Sequence, residues 1–273
     1  MSGIALNCEV SDYLWPWTTS TPVFMIHGFA RNAAVWTRWL PRLCENHRVY
    51  RVTLPGMGGT QIPPPGFVWS VAALRQAFTE LLDHFELERV HFVGESAGGM
   101  LGALFAAEFP ERVASLIAVE TPLRRGTALR KEHNLGHSSF AGTMEQYGME
   151  EYCRRTIDAR LDTNKASIEL IEWYIAQIAK TPDEVGISFK AFVDTLDLEP
   201  SLNLLRIPVL LLCGDKSRVI TPDQVDILRR NLPNIDIRIF DGYGHGINVL
   251  EPERCALAAT DFWAAHCNNM EDR

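Results

Sequence analysis

Long apolar runs, basic charge and paired cysteines are all scarce in this sequence. No run approaches the roughly 20 residues that a membrane-spanning helix requires, so no membrane span is expected. Basic side chains number 26 against 34 acidic ones, a net charge of −8. That balance argues against nucleic acid or an anionic membrane as the main partner, while leaving room for a local basic patch. The six cysteines, Cys8, Cys44, Cys153, Cys213, Cys255 and Cys267, include no Cys-x-x-Cys pair, and His27 and His91 lack ligand-like spacing. Free thiols in a reducing cytosol are therefore expected, without disulfides, a metal site or a cofactor site. The first eight residues carry no basic stretch followed by an apolar one, so no secretory signal is read there and a cytoplasmic location is expected.

What is present is an ordinary globular composition, 47% hydrophobic and 22% charged over 273 residues, long enough for one large domain with an insertion. An edge strand is expected at 4–10, with an aromatic piece at 13–17 as the next hairpin strand. The apolar run 22–26 reads as a central strand buried on both faces. A helix at 33–46, a strand at 48–54, a Pro-rich loop at 63–66 and a helix at 69–85 follow. Strands alternating with helices continue through 90–95 and 113–119, which indicates a mostly parallel sheet with helices on both faces. The alternation stops at Glu120 and resumes only at 207. Between them lie helical stretches at 144–161, 167–180 and 182–196, an expected lid over the strand ends. The division is thus a core of 1–123 and 207–273 with a helical cap at 124–206.

The chemistry centres on Gly94-Glu95-Ser96-Ala97-Gly98, where a buried strand turns sharply into a helix. At such a turn the middle residue is strained and the residues two positions either side must be glycine, so Ser96 stands exposed at the tip with the Ala97 amide facing the carbonyl it attacks. Glu95 is expected to be a strand-end side chain directed away from the site. His245, flanked by glycines on a loop after the last strand, follows the serine in the chain order that a nucleophile–base pair of this kind uses.

These residues resemble the α/β-hydrolases over nearly the whole chain. His27-Gly28-Phe29 matches the family's oxyanion loop, the Ser96 segment its nucleophile elbow, and Gly244-His245 its histidine loop. The resemblance implies an α/β-hydrolase fold with its lid inserted after the strand ending at Val119, and a Ser96–His245–acid triad with the amides of Phe29 and Ala97 as oxyanion hole. Relatives place the acid three residues after the glycine corresponding to Gly214, where this chain has Ser217. Glu120 and Asp215 both remain candidates. Glu120, at a buried strand end, is favoured, since a charge there calls for a catalytic role. Acid placement there resembles the zearalenone lactonases and one branch of the haloalkane dehalogenases. Ser96 in place of aspartate argues against dehalogenase or epoxide-hydrolase chemistry.

A hydrophobic ester or lactone is the expected small-molecule substrate, with Gly28, Trp173, Tyr174 and Phe189 as candidate contacts alongside the alternative that the lid aromatics only pack. The basic run Arg124, Arg125, Arg130 and Lys131 either faces solvent or recognises a substrate carboxylate, as in the enol-lactonases of aromatic catabolism, whose layout this chain also resembles. Carbon–carbon bond hydrolysis on the same triad and a weakly catalytic ligand receptor remain open. Oligomeric state is not legible.

Overall fold

In the computed structural model, which describes residues 3–232 and 234–266, the short apolar runs form the middle of a seven-stranded sheet. Its strands are β1 (Asn7–Ser11), β2 (Val23–Ile26), β3 (Val49–Thr53), β4 (Val90–Glu95), β5 (Val113–Val119), β6 (Val209–Gly214) and β7 (Ile235–Phe240). They lie in the order β1-β3-β2-β4-β5-β6-β7, with β1 antiparallel and the rest parallel. Parallel strands need crossovers, and helices supply them on both faces.

Side-chain alternation divides the core in two. Phe24, Ile26, Leu116 and Ala118 face one side with Phe78 of α2 (Val71–His84) and Phe105 of α3 (Ala97–Glu108). Val23, Met25, Ile117 and Val119 face the other with Trp36, Trp39, Phe262 and Trp263, the last two on α10 (Pro252–His266). This period of two lets both faces of one apolar strand be buried at once. Two shorter helices, α1 (Leu40–Leu43) and α9 (Ile247–Leu250), and α8 (Pro222–Asn231) complete the covering layers.

Between β5 and β6 the chain makes four helices: α4 (Thr127–His133), α5 (Phe140–Arg155), α6 (Ile168–Ile178) and α7 (Asp183–Val193). Gly148, at φ 66°, breaks α5, and the Asp183 carboxylate accepts the Met149 amide freed there at 2.8 Å. Phe140, Met144, Met149, Tyr152, Ile175 and Ile178 give this insertion its own apolar cluster, which closes on Ala30 and Phe29 next to the end of β2.

Two expectations need correcting. Residues 13–17 form no strand: Pro16 removes a ladder donor, β1 already occupies the edge of β3, and Trp15 and Trp17 stack on each other at 5.2 Å in solvent instead. The segment 33–46 is not one helix but a 3-10 turn over Ala33–Trp39, capped by the Asn32 side chain, running into α1. Of the cysteines, Cys8, Cys44, Cys153, Cys213 and Cys255 are free, and Cys267 lies outside the described residues.

The turn from β4 into α3 is packed tightly against main chain. A Cβ on Gly98 would come within 2.4 Å of the Ile26 carbonyl oxygen, and one on Gly94 within 2.5 Å of the Gly98 backbone. Both obstacles are main chain and cannot swing aside. Gly98→Ala is expected to lower stability by about 1–3 kcal/mol in chemical denaturation, despite alanine's better helix propensity. Gly126→Ala, where a Cβ meets nothing within 4 Å, is the control expected to unfold near wild type; equal midpoints for the two would contradict the close-approach account.

Candidate active site

Ser96 occupies the turn between β4 and α3 with φ 53° and ψ −117°, a strained conformation for a residue with a side chain. Its amide donates to the Val119 carbonyl at 2.8 Å, which pins the turn to the neighbouring strand. The hydroxyl has no hydrogen-bond partner among the described residues and faces a cavity between the strand ends and the insertion. Ala97 begins α3, so its amide has no intrahelical acceptor. The amides of Ala97 and Phe29 are unengaged by any acceptor among the described residues, and both residues line the same cavity.

His245 enters that cavity from the loop after β7. The Asp162 carboxylate accepts the Gly244 amide at 3.1 Å, and the Asp162 amide donates to the His245 carbonyl at 3.1 Å. The insertion thus fixes the histidine loop.

At its Nδ1 the ring meets Glu120 Oε2 at 3.3 Å. Glu120 is fully buried at the end of β5, in the left-handed region at φ 49°, and its own amide donates to the Leu212 carbonyl at 2.8 Å. Its carboxylate also accepts the Gly214 amide at 2.9 Å and the Ser217 hydroxyl at 2.5 Å. Asp215 is elsewhere: exposed, it accepts the Gly242 amide at 2.6 Å and orders the turn after β7. Of the two candidate acids, only Glu120 is in contact with His245.

Glu95 departs from expectation. Its side chain turns into the site, fully buried, with Oε2 accepting the Gly28 amide at 2.9 Å and sitting 3.3 Å from the Arg31 guanidinium. Oε1 lies 3.3 Å from His245 Nε2, an ion-pair contact when the ring is protonated, and has no hydrogen bond among the described residues. The outward direction expected of a strand-end side chain is overridden because Arg31 and the Gly28 amide both offer partners inside. Burial would raise the Glu95 carboxyl, but Arg31 and then His245 hold it below the usual carboxylate range. Burial likewise works to lower His245, yet Glu120 and Glu95 outweigh it and leave the imidazole more basic than usual.

His27 is tied at both ring nitrogens to main chain. Leu54 donates its amide to Nε2 at 3.0 Å, so Nδ1 carries the proton that bonds the Gly28 carbonyl at 2.7 Å, and burial pushes the ring down to about 4.

The expected substrate contacts are not in the cavity wall. Gly28 spends its amide on Glu95. Trp173 is packed between apolar clusters, Phe189 stacks on Phe29 and meets Trp69 edge-on, and Tyr174 accepts from Arg31 Nε at 2.5 Å while donating to the Arg160 carbonyl at 3.3 Å. The three aromatics pack instead: Tyr174 in the insertion's own cluster, Phe189 in the core on the Phe24 side of the sheet, and Trp173 against two clusters. Of the basic run, Arg125 reaches the cavity, whereas Arg124 pairs with Glu199 at the surface and Lys131 is exposed. Sequence reading missed Arg31, Arg160, Lys190 and His133, all of them in the cavity wall. Three sit singly on helices or loops far apart in the chain, with no spacing that unites them.

The cavity offers about 50 Å³, room for a few water molecules.

Residues 21–147 match a family model described as the alpha/beta hydrolase fold. A pimeloyl-[acyl-carrier protein] methyl ester esterase from Aeromonas hydrophila is 26% identical over 84% of this chain and 90% of its own. A thermophilic esterase from Thermogutta terrifontis superposes with a TM-score of 0.80 at 24% identity, over 95% of this chain and 93% of that one. The enol-lactonase from Burkholderia xenovorans LB400 superposes with a TM-score of 0.82 at 18% identity, over 95% and 96% of the two chains. Among the described residues no helix is long and apolar enough to cross a membrane.

The paired carboxylates make a direct prediction. NMR titration should place the His245 imidazole above the ordinary value of 6.5, and both Glu120→Gln and Glu95→Gln should bring it down, the latter also leaving Arg31 uncompensated. A titration unmoved by Glu95→Gln would mean that the 3.3 Å ion pair has no influence on the ring.

Proposed function

We propose, from the premise that this chain belongs to the α/β-hydrolase fold family, that it is a serine hydrolase cleaving a carboxylic ester or lactone through an acyl-enzyme on Ser96. His245 seated against Glu120, in the cavity that Ser96 and two unengaged amides also line, carries this reading. The relatives named as esterases and as an enol-lactonase support the same reaction class.

A serine hydroxyl is a poor nucleophile at neutral pH and needs a base. His245 Nε2 takes the Ser96 proton as Oγ bonds to the acyl carbon, and Glu120 at Nδ1 holds the tautomer and stabilises the imidazolium. The amides of Phe29 and Ala97 receive the developing oxyanion, each donor being worth about 10²–10³ in rate. As the bond from the acyl carbon to the alkoxy oxygen breaks, His245 returns the proton to that oxygen. Water, deprotonated by the same nitrogen, then attacks the acyl carbon and releases Ser96. Only neutral imidazole can accept the serine proton. A raised His245 pKa therefore moves the acidic limb of the pH–rate profile upward, with activity growing as pH rises through it. Residues 124–206 act in this reading as a cap that excludes water.

Steady-state hydrolysis of a panel of p-nitrophenyl esters and lactones tests this. Ser96→Ala and Glu120→Gln are each expected to lower kcat/KM by about 10³-fold or more, while Asp215→Asn, at an exposed turn, stays close to wild type. An inactive Asp215→Asn beside an active Glu120→Gln would reverse the acid assignment. A wild type inert towards every ester and lactone would overturn the reaction class.

A further inference from the structure

The wall of the cavity that holds Ser96 contains four Arg and Lys side chains and no Asp or Glu. For a chain of net charge −8 that is a local inversion of sign. Arg31 is neutralised by Glu95. The other three, Arg125, Arg160 and Lys190, come from the insertion and are under-compensated. Asp194 accepts from both Arg125 and Lys190, the latter at 2.9 Å. Arg160 has no carboxylate partner among the described residues: its Nε donates to the Thr156 hydroxyl at 3.1 Å, its Nη2 to the Tyr152 hydroxyl, and its guanidinium lies over the Phe29 ring at 5.3 Å. Arg160 is 5% exposed and Lys190 3%. Cations so placed are costly unless something supplies the missing negative charge.

His133 gives an independent sign. Its Nδ1 contacts Arg125 Nη2 at 2.7 Å, and since arginine can only donate, Nδ1 is the acceptor and Nε2 carries the proton. That Nε2–H is buried in the same wall, on a side chain of a residue 5% exposed, with no hydrogen-bond partner. A buried donor without an acceptor, beside three cations of which two share one carboxylate and the third has none, describes a receptor for an anion. Burial and the neighbouring cations also push His133 down and hold Lys190 down at about 8, the direction expected where positive potential accumulates.

We propose that Arg125, Arg160, Lys190 and His133 form an anion subsite of the acyl-transfer cavity, so that the substrate is an ester or lactone carrying a second, ionised carboxylate. The proposal rests on the hydrolase reading above and sharpens it: the apolar substrate expected from the lid's aromatics gives way to a small carboxylate-bearing one. Phe29, between Arg160 and the cap's Phe140 and Phe189, supplies the apolar wall for the carbon chain.

The test compares mono-4-nitrophenyl glutarate with 4-nitrophenyl hexanoate, which match in length and differ in the terminal carboxylate. Wild type is expected to favour the half-ester by about tenfold or more in kcat/KM. Arg160→Met and Lys190→Met should each cut that ratio severalfold, with Arg160→Lys retaining part of it, and rising salt should erode it. A wild-type preference for the neutral ester, or a ratio untouched in folded variants, overturns the proposal. Calorimetric titration of Ser96→Ala protein with glutarate and with its uncharged diamide decides the matter without turnover: binding of glutarate alone supports the subsite, equal or absent binding removes it. Should wild type hydrolyse neither ester while Ser96→Ala protein binds glutarate, the hydrolase reading fails and the anion site stands.

Discussion

A histidine ring held between two buried carboxylates is the arrangement on which the rest of this site depends. Glu120 at one nitrogen and Glu95 at the other are both fully buried, and neither could stay ionised there without partners. Each brings its own set. Glu120 uses a main-chain amide and a hydroxyl at the mouth of β6, and Glu95 uses a main-chain amide after β2 and the Arg31 guanidinium. The two anions therefore stitch together the carboxyl ends of β2, β4, β5 and β6, the edge where a parallel sheet presents a crevice. Two of the five side-chain-bearing residues with positive φ among the described residues, Ser96 and Glu120, stand on adjacent strand ends in this edge. Strain of that kind persists only where surrounding structure over-determines it, and the strand-to-strand hydrogen bonds from both amides provide that.

The fold was legible because its signals are periodic and local. Val23–Ile26, Val90–Glu95 and Val113–Val119 fall where apolar runs put them. Residues 13–17 and 33–46 were misread because aromatic content and helical spacing say nothing of an occupied sheet edge or of a 3-10 turn. At the site, a short motif announces a side chain when the backbone itself requires it: glycines around Ser96 and His245 mark close approach. Glu120 was legible for a different reason, a charge at the end of a seven-residue apolar strand. Ser217, which stands where a carboxylate was looked for, turns out to donate its hydroxyl to Glu120, so one position's loss and the other's gain are a single hydrogen bond.

Glu95 and the cationic wall were illegible for a shared physical reason. Whether a strand-end side chain turns inward depends on partners that lie 64 and 67 residues earlier, Arg31 and Gly28, and no local pattern encodes them. Arg31, Arg160 and Lys190 likewise meet only because four inserted helices fold back over the sheet. The one basic cluster visible as a run, from Arg124 to Lys131, is mostly surface: Arg124 lies in a bridge with Asp197 ahead of α4 and pairs outward with Glu199, while its neighbour Arg125 faces the cavity.

The two groups of charges divide along the chain's architecture. Carboxylates come from the sheet and surround the imidazole, where they favour its protonated form. Cations come mainly from the insertion and surround the space beyond Ser96, where positive potential falls on whatever occupies it. Through Asp162 the segment between β5 and β6 also holds the histidine loop.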